Sequence, residues 1–199
     1  SGVSFNDRNG ISLPLPTGNQ TGATVLLLRI SEAYLFVGVG GTIDKTGYAD
    51  AAAFEQDLED AGAVGFFVSD ANLDLAIVSQ DPALGTQKWV GISAMIGSLG
   101  VTGLPDAFTL KIRDLEFFYN VASADGRRMD WSGLAGTTTD TFNLDIGTLA
   151  NFDDTTEFKV AGKVMVSIEN FVYVSGGVAL QRKELFVKTV GATTTTRMS

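Results

Sequence analysis

The chain has 199 residues, a formal net charge of −9, 45% hydrophobic residues, 23 Gly, no Cys and no His. That composition suits one folded domain, or two small ones. It excludes a disulfide framework, a thiolate nucleophile, a Ser-His-Asp triad and a zinc site of the usual His/Cys kind. The acidic balance, 23 Asp+Glu against 14 Lys+Arg, argues against nucleic acid and anionic membrane surfaces as partners.

The start, SGVSFNDRNG, has no initiating Met and lacks the charged and apolar regions of a signal peptide, as expected of a fragment or mature piece of something longer. No segment approaches the roughly 18 consecutive apolar residues that span a bilayer. Ile11, Leu13 and Leu15 alternate as in a strand, and Pro14 within them confines that strand to a sheet edge. Leu26, Leu28 and Ile30 then alternate, Ser31 and Glu32 break the parity, and Ala33, Leu35, Val37 and Val39 resume it.

The stretch from Asp50 to Ala61 is rich in Ala, Glu and Gln. Asp50 is placed to cap it, Gly62 follows it, and Phe54 and Leu58 share a face, so the spacing predicts one short α-helix at about 50–61.

The broken alternation then recurs. It fits Val64, Phe66 and Val68 with Ala71, Leu73, Leu75 and Ile77. It fits Ile92, Ala94 and Ile96 with Leu99 and Val101, and Phe108, Leu110 and Ile112 with Leu115, Phe117, Tyr119 and Val121. Two further copies are Phe142, Leu144 and Ile146 with Leu149, and Val164, Val166 and Ile168 with Phe171 and Tyr173. A residue inserted at each break, as in a β-bulge or a corner, would aim both halves of a strand at one core.

Asp81–Pro82 and Leu104–Pro105 mark reversals, and Asp125–Gly126 reads as a hairpin turn between two β runs. The expected fold is all-β: a β-solenoid or prism, or a bent two-sheet sandwich, built from kinked amphipathic strands with one inserted helix. The expected organisation is a single β domain over residues 1–191. The Thr-rich residues 192–199 read as a linker or tail.

Three constellations carry candidate chemistry. Asp70, Asn72 and Asp74 have the D-x-N-x-D spacing that opens a calcium loop. Leu75 stands where such a loop needs Gly, however, and position twelve is Asp81 rather than Glu. On a strand the three share the solvent face opposite Leu73, Leu75 and Ile77, and that is the plainer reading. Asp153 and Asp154, with Asn151 and Glu157, form an acidic loop that could hold calcium or merely blunt a sheet edge. Phe118 and Trp131, near Arg127 and Arg128, are the aromatics left outside the alternating set, and so are candidates to stack on a glycan or other ligand; cross-strand packing is the plainer reading. The Gly38–Gly41 stretch, GVGG, is not a nucleotide loop, and no carboxylate pair carries a reason for a raised pKa.

Four phrases, AYLFVGVGG (Ala33–Gly41), AVGFFVSDANLDLAIV (Ala63–Val78), KWVGISAMIGSLGVTGLPDAFTLKIRDLEFFYN (Lys88–Asn120) and FKVAGKVMVSIENFVYVSGGVALQRKE (Phe158–Glu184), occur in an order that resembles the long repeat unit of giant tandem-repetitive bacterial surface or secreted proteins. The resemblance spans about residues 25–190, with the 50–61 helix and its flanks as an insertion. It implies a non-enzymatic structural or adhesive module, outside the cell or on its surface, that associates with identical or tandem copies. It implies no catalytic residues and no cofactor. The rival expectation is a β module that binds glycans or a small apolar ligand.

Overall fold

In the computed structural model the structure describes residues 2–15, 18–44, 46–105, 108–134, 145–169, 171–188 and 195–198, with side chains described within 22–184. Seven strands form one open antiparallel sheet in chain order: β1 (Gly2–Leu15), β2 (Gly18–Val39), β3 (Val64–Ser79), β4 (Lys88–Thr102), β5 (Phe108–Val121), β6 (Thr156–Ile168) and β7 (Val172–Lys183). The sheet is a meander, every strand pairing with its sequence neighbour, and β1 and β7 are its edges. Helix α1 (Ala51–Asp60) connects β2 to β3, and a one-turn helix α2 (Trp131–Leu134) and a 3-10 turn (Gly147–Asn151) lie between β5 and β6. A short hairpin of β8 (Leu185–Lys188) and β9 (Thr195–Met198) follows.

The mostly-β expectation is met. Neither a solenoid nor a closed two-sheet sandwich forms, because the large sheet stays open and single-layered. Helix α1 forms where Asp50, Phe54 and Leu58 predict it. Asp50 accepts a hydrogen bond from the Ala53 N–H, and Phe54 and Leu58 are its buried residues. β1 is the edge strand that Pro14 requires.

Three expectations are corrected. Residues 195–198 of the Thr-rich tail form β9. The Asp125–Gly126 turn follows β5 but leads into α2 rather than a strand. Of the phrase around Phe142 and Leu144, those two residues lie outside the described residues, while Ile146 and Leu149 belong to the 3-10 turn segment.

The broken alternation has a clear backbone origin. Glu32 in β2, Asp70 in β3 and Asp114 in β5 hold φ values of 50°, 52° and 51° inside otherwise extended strands. Pairing of Ser69 with Ser98 and Ala71 with Ile96 sets Gly97 of β4 opposite Asp70. Pairing of Ile96 with Leu115 and Ser98 with Arg113 sets Asp114 at the same level. The interruptions thus form one row across the sheet, and each swaps the parity of its strand so that both halves keep their faces. β6 alternates without a break, so the β5–β6 register shifts between Arg113 and Glu116. In the last predicted phrase the break is instead the β6–β7 hairpin, where Glu169 has φ 45°.

The core lies on the face opposite to the one the alternation predicts. The alternating set does share one face: Leu26, Leu28 and Ile30 pair with Ile77, Leu75 and Leu73. Those pair with Val90, Ile92 and Ala94, and these in turn with Val121, Tyr119 and Phe117. The helices cover the other face. Under α2 and the 3-10 turn, Ala23, Val25, Ala76, Val78, Trp89 and Phe118 pack against Met129, Trp131, Leu134 and Leu149. Under α1, Phe54, Leu58 and Ala63 pack on Phe67, flanked by Tyr34, Phe36 and Tyr48. Gly91 leaves room for α2, since a Cβ there would sit 2.6 Å from the Trp131 ring.

A left-handed conformation costs an L-residue roughly 1–2 kcal/mol, and Asp tolerates it better than a β-branched residue. Asp114 also pairs with Lys163 at 2.6 Å, a contact that Gly and Val both abolish. Asp114→Val is therefore expected to unfold in urea with about 1 kcal/mol or more less stability than Asp114→Gly. Equal stabilities would show that the row does not need its backbone conformation.

Candidate functional site

The two aromatics expected at the surface are buried. Phe118 and Trp131 both have 0% exposure. Phe118 stacks on Phe152 with centroids 3.6 Å apart and planes 9° apart, and Trp131 Nε1 donates to Asn120 Oδ1 at 3.0 Å. Their rings join α2 to the sheet and present no stacking platform to a ligand. Arg128 also points inward, ion-paired with Glu157 at 2.8 Å and with Glu184.

The candidate calcium residues separate. Asp70 occupies the interruption in β3, the Asn72 Oδ1 accepts from the Glu32 N–H at 3.2 Å, and Asp74 turns to Arg29. The Asp153 carboxylate accepts from Thr155 and Thr156, through their N–H groups and hydroxyls. Burial alone would raise its pKa, but those bonds and the Lys183 charge outweigh it and hold the carboxyl below its ordinary value. Asp154 and Asn151 are exposed at the neighbouring turn. Among the described residues no group of three or more Asp or Glu side chains gathers closely enough to hold a metal ion.

Sequence reading missed the polar cluster centred on Arg29. Its Nε donates to Asp74 Oδ1 at 2.7 Å, and its two terminal nitrogens donate to Asp145 Oδ2 and Oδ1 at 2.7 and 2.9 Å. Asp74 Oδ2 accepts from the Thr148 N–H at 3.0 Å and its hydroxyl at 2.9 Å, and Ser93 meets the same hydroxyl at 2.7 Å. These partners lie 45 and 116 residues from Arg29, so no local spacing announces them. Only the Asp-x-Gly run at Asp145–Gly147, where the Gly147 N–H donates to Asp145, hints at a turn. The cluster lines a hollow of about 330 Å³ with Ile30, Asn72 and Met95. Arg29 is shared between both carboxylates, whose other acceptor positions are filled by Thr148 and the Gly147 N–H, and the chemistry this permits is clamping: the turn that inserts Leu149 into the core is fastened to β2, β3 and β4.

A second hollow, about 620 Å³, lies between α1 and the ends of β3–β5, with Phe67 and Leu110 among its apolar lining. Glu55 pairs there with Lys111.

Among the described residues, one face of the sheet carries no helix. Val37, Val39 and Leu180 are 61%, 70% and 62% exposed. Leu35, Val174 and Val178 are about half exposed, and Val64, Phe66, Phe108 and Ile168 are less so. The face runs unbroken from β2 to β7. Most charged side chains at regular positions of β2–β6, including Arg29, Asp74, Lys111, Glu116, Lys159 and Lys163, stand on the helix-bearing face, while Lys88 and Arg182 stand on the open face at its margins. Single exposed apolar residues are ordinary, but a contiguous field of them marks an interaction surface.

Comparison with protein-family models, with characterised proteins and with solved structures returned no match. The fold defines the class: a mostly-β protein built on one open antiparallel sheet with two short helices.

Arg29 and the Gly147 N–H hold the Asp145 carboxyl at about 2, well below its ordinary 3.8. A depressed folded-state pKa stabilises above the unfolded value and loses that contribution as pH falls through the folded one. The stability difference between wild type and Asp145→Asn, followed by Trp emission in urea, is therefore expected to be present above about pH 4 and to close by about pH 2. A difference that persists unchanged to pH 2 would contradict the clamp.

Proposed function

We propose that this chain is a non-enzymatic structural module of a repetitive cell-surface or extracellular assembly, working by self-association through its sheet. One observation carries the reading: the apolar face that spans β2 to β7 and that no described residue covers. A buried apolar surface contributes about 25 cal/mol per Å², so a face of this width favours association over solvation. Among the described residues no strand pairs with the outer edges of β1 and β7, which add main-chain donors and acceptors that a neighbouring strand can meet. Ile11–Leu15 is already paired with β2, at Ala23, Gln20 and Gly18, so any contribution to a neighbour comes from the outer edge of β1.

The ligand-binding alternative loses its proposed contacts, because Phe118 and Trp131 have no exposed surface. The polar hollow at Arg29 suits a structural part, its hydrogen bonds being spent inside the protein.

Light scattering coupled to size exclusion is expected to give a mass above the 21.0 kDa monomer, rising with protein concentration. Association through apolar surface should strengthen with added sulfate. A mass that stays at the monomer value at every concentration would remove this reading.

A further inference from the structure

We propose that the open face is the interface of a twofold dimer, in which a second copy of this chain lays the same face on it and the two sheets stack as one sandwich. The inference rests on the structural reading above and names the partner and the surface that reading uses.

The strands themselves carry the first argument. A sheet with one face in water alternates apolar and polar residues, whereas a sheet covered on both faces reads as continuous apolar runs. These strands read Val25–Leu28 as VLLL, Phe66–Val68 as FFV, Leu75–Val78 as LAIV and Phe117–Tyr119 as FFY. In each run one parity enters the core beneath the helices, as Val25, Phe67, Val78 and Phe118 do. The other parity lines the open face. The composition is that of a middle layer, with one of its two neighbours supplied by the helices.

Area carries the second. The largest apolar patch of an ordinary monomer is about 300–600 Å². The side chains standing on this face offer on the order of 1,000 Å², more than the roughly 800 Å² that each partner contributes to a stable interface.

Charge decides the occupant. A partner must match a broad, pleated field whose centre is apolar and whose charges, Lys88 at one end and Arg182 at the β7 margin, stand at its rim with Thr24 and Ser79. An apolar centre within a polar rim is the anatomy of a homodimer interface. A small apolar ligand would cover a fraction of it. A second copy presents the same width, the same pleat and the same apolar centre. Twofold symmetry makes the contact self-complementary, with the sheets about 10 Å apart.

The absence of cysteine makes the test direct. The 199-residue chain is expected to scatter at twice its 21.0 kDa monomer mass. Ala71→Arg/Ala94→Arg removes no large side chain and sets two charges in the middle of the face, and is expected to weaken dimerisation by about 100-fold or more. Ser175→Arg, on the other parity of β7, is expected to leave it unchanged. Trp89, beneath α2 and the 3-10 turn, and Trp131, in α2 itself, are both buried and report by their emission that each variant is folded.

In a second measurement, Ala94→Cys is expected to react with maleimide about 10-fold more slowly in concentrated than in dilute protein, while Ser175→Cys reacts at one rate. If association survives Ala71→Arg/Ala94→Arg and Ser175→Cys is the protected thiol, the copies meet along β7. The stacked dimer is then overturned while the structural module stands. A monomer at every concentration overturns both.

Discussion

A β-strand turns successive side chains to opposite faces, so a strand that must serve two different layers along its whole length is bound to a strict parity. β2, at 22 residues, is long enough to run beneath both helical layers, and β3, β4 and β5 follow it. Each yields its parity once, at one level, through Glu32, Asp70, Gly97 and Asp114. Everything else in the structure is arranged around that row. On one side of it α1 closes over Phe67, and on the other α2 and the 3-10 turn close over Ala76, Val78 and Trp89. Because the row passes from strand to strand, the β2–β3, β3–β4 and β4–β5 ladders keep a single overall register on both sides of it.

The row also explains which part of the architecture was legible. Period-two alternation located β2 to β5 and the position of each interruption, because a backbone insertion leaves a mark in residue order. It could not say which face would be covered. Both parities are apolar in runs such as Phe66–Phe67 and Phe117–Phe118, and the choice between them belongs to helices docking from elsewhere in the chain. Asp50, Phe54, Leu58 and Gly62 announced α1 because capping and helical spacing are local. The single turn of α2 has no such signature; it exists because Trp131 fits the space above Gly91 and reaches Asn120.

The polar sites divide in the same way. Asp70, Asn72 and Asp74 share a spacing but not a target, because the interruption at Asp70 re-aims the strand and distant partners claim the other two. Asp153 looked like an open carboxylate in sequence and is a turn-forming acceptor in the fold. Arg29 looked like one polar residue in an apolar strand. Its meaning depends on Asp74 and Asp145, which only the folded chain brings to it. Charged residues pairing over long sequence separations are invisible to motif reading and become the fixed points of the tertiary structure.

The meander order of the sheet has a consequence for synthesis. Every ladder joins neighbours in sequence, from β1–β2 through to β6–β7, so no strand waits for one made much later. The pairing of β2 with β3 needs nothing beyond Ser79, and each later hairpin adds to an edge already formed. Local pairing of this kind shortens the chain that must be searched before a contact is made. A nascent chain leaving the ribosome can therefore extend the sheet strand by strand, with the newest edge always the one to which the next strand is tethered.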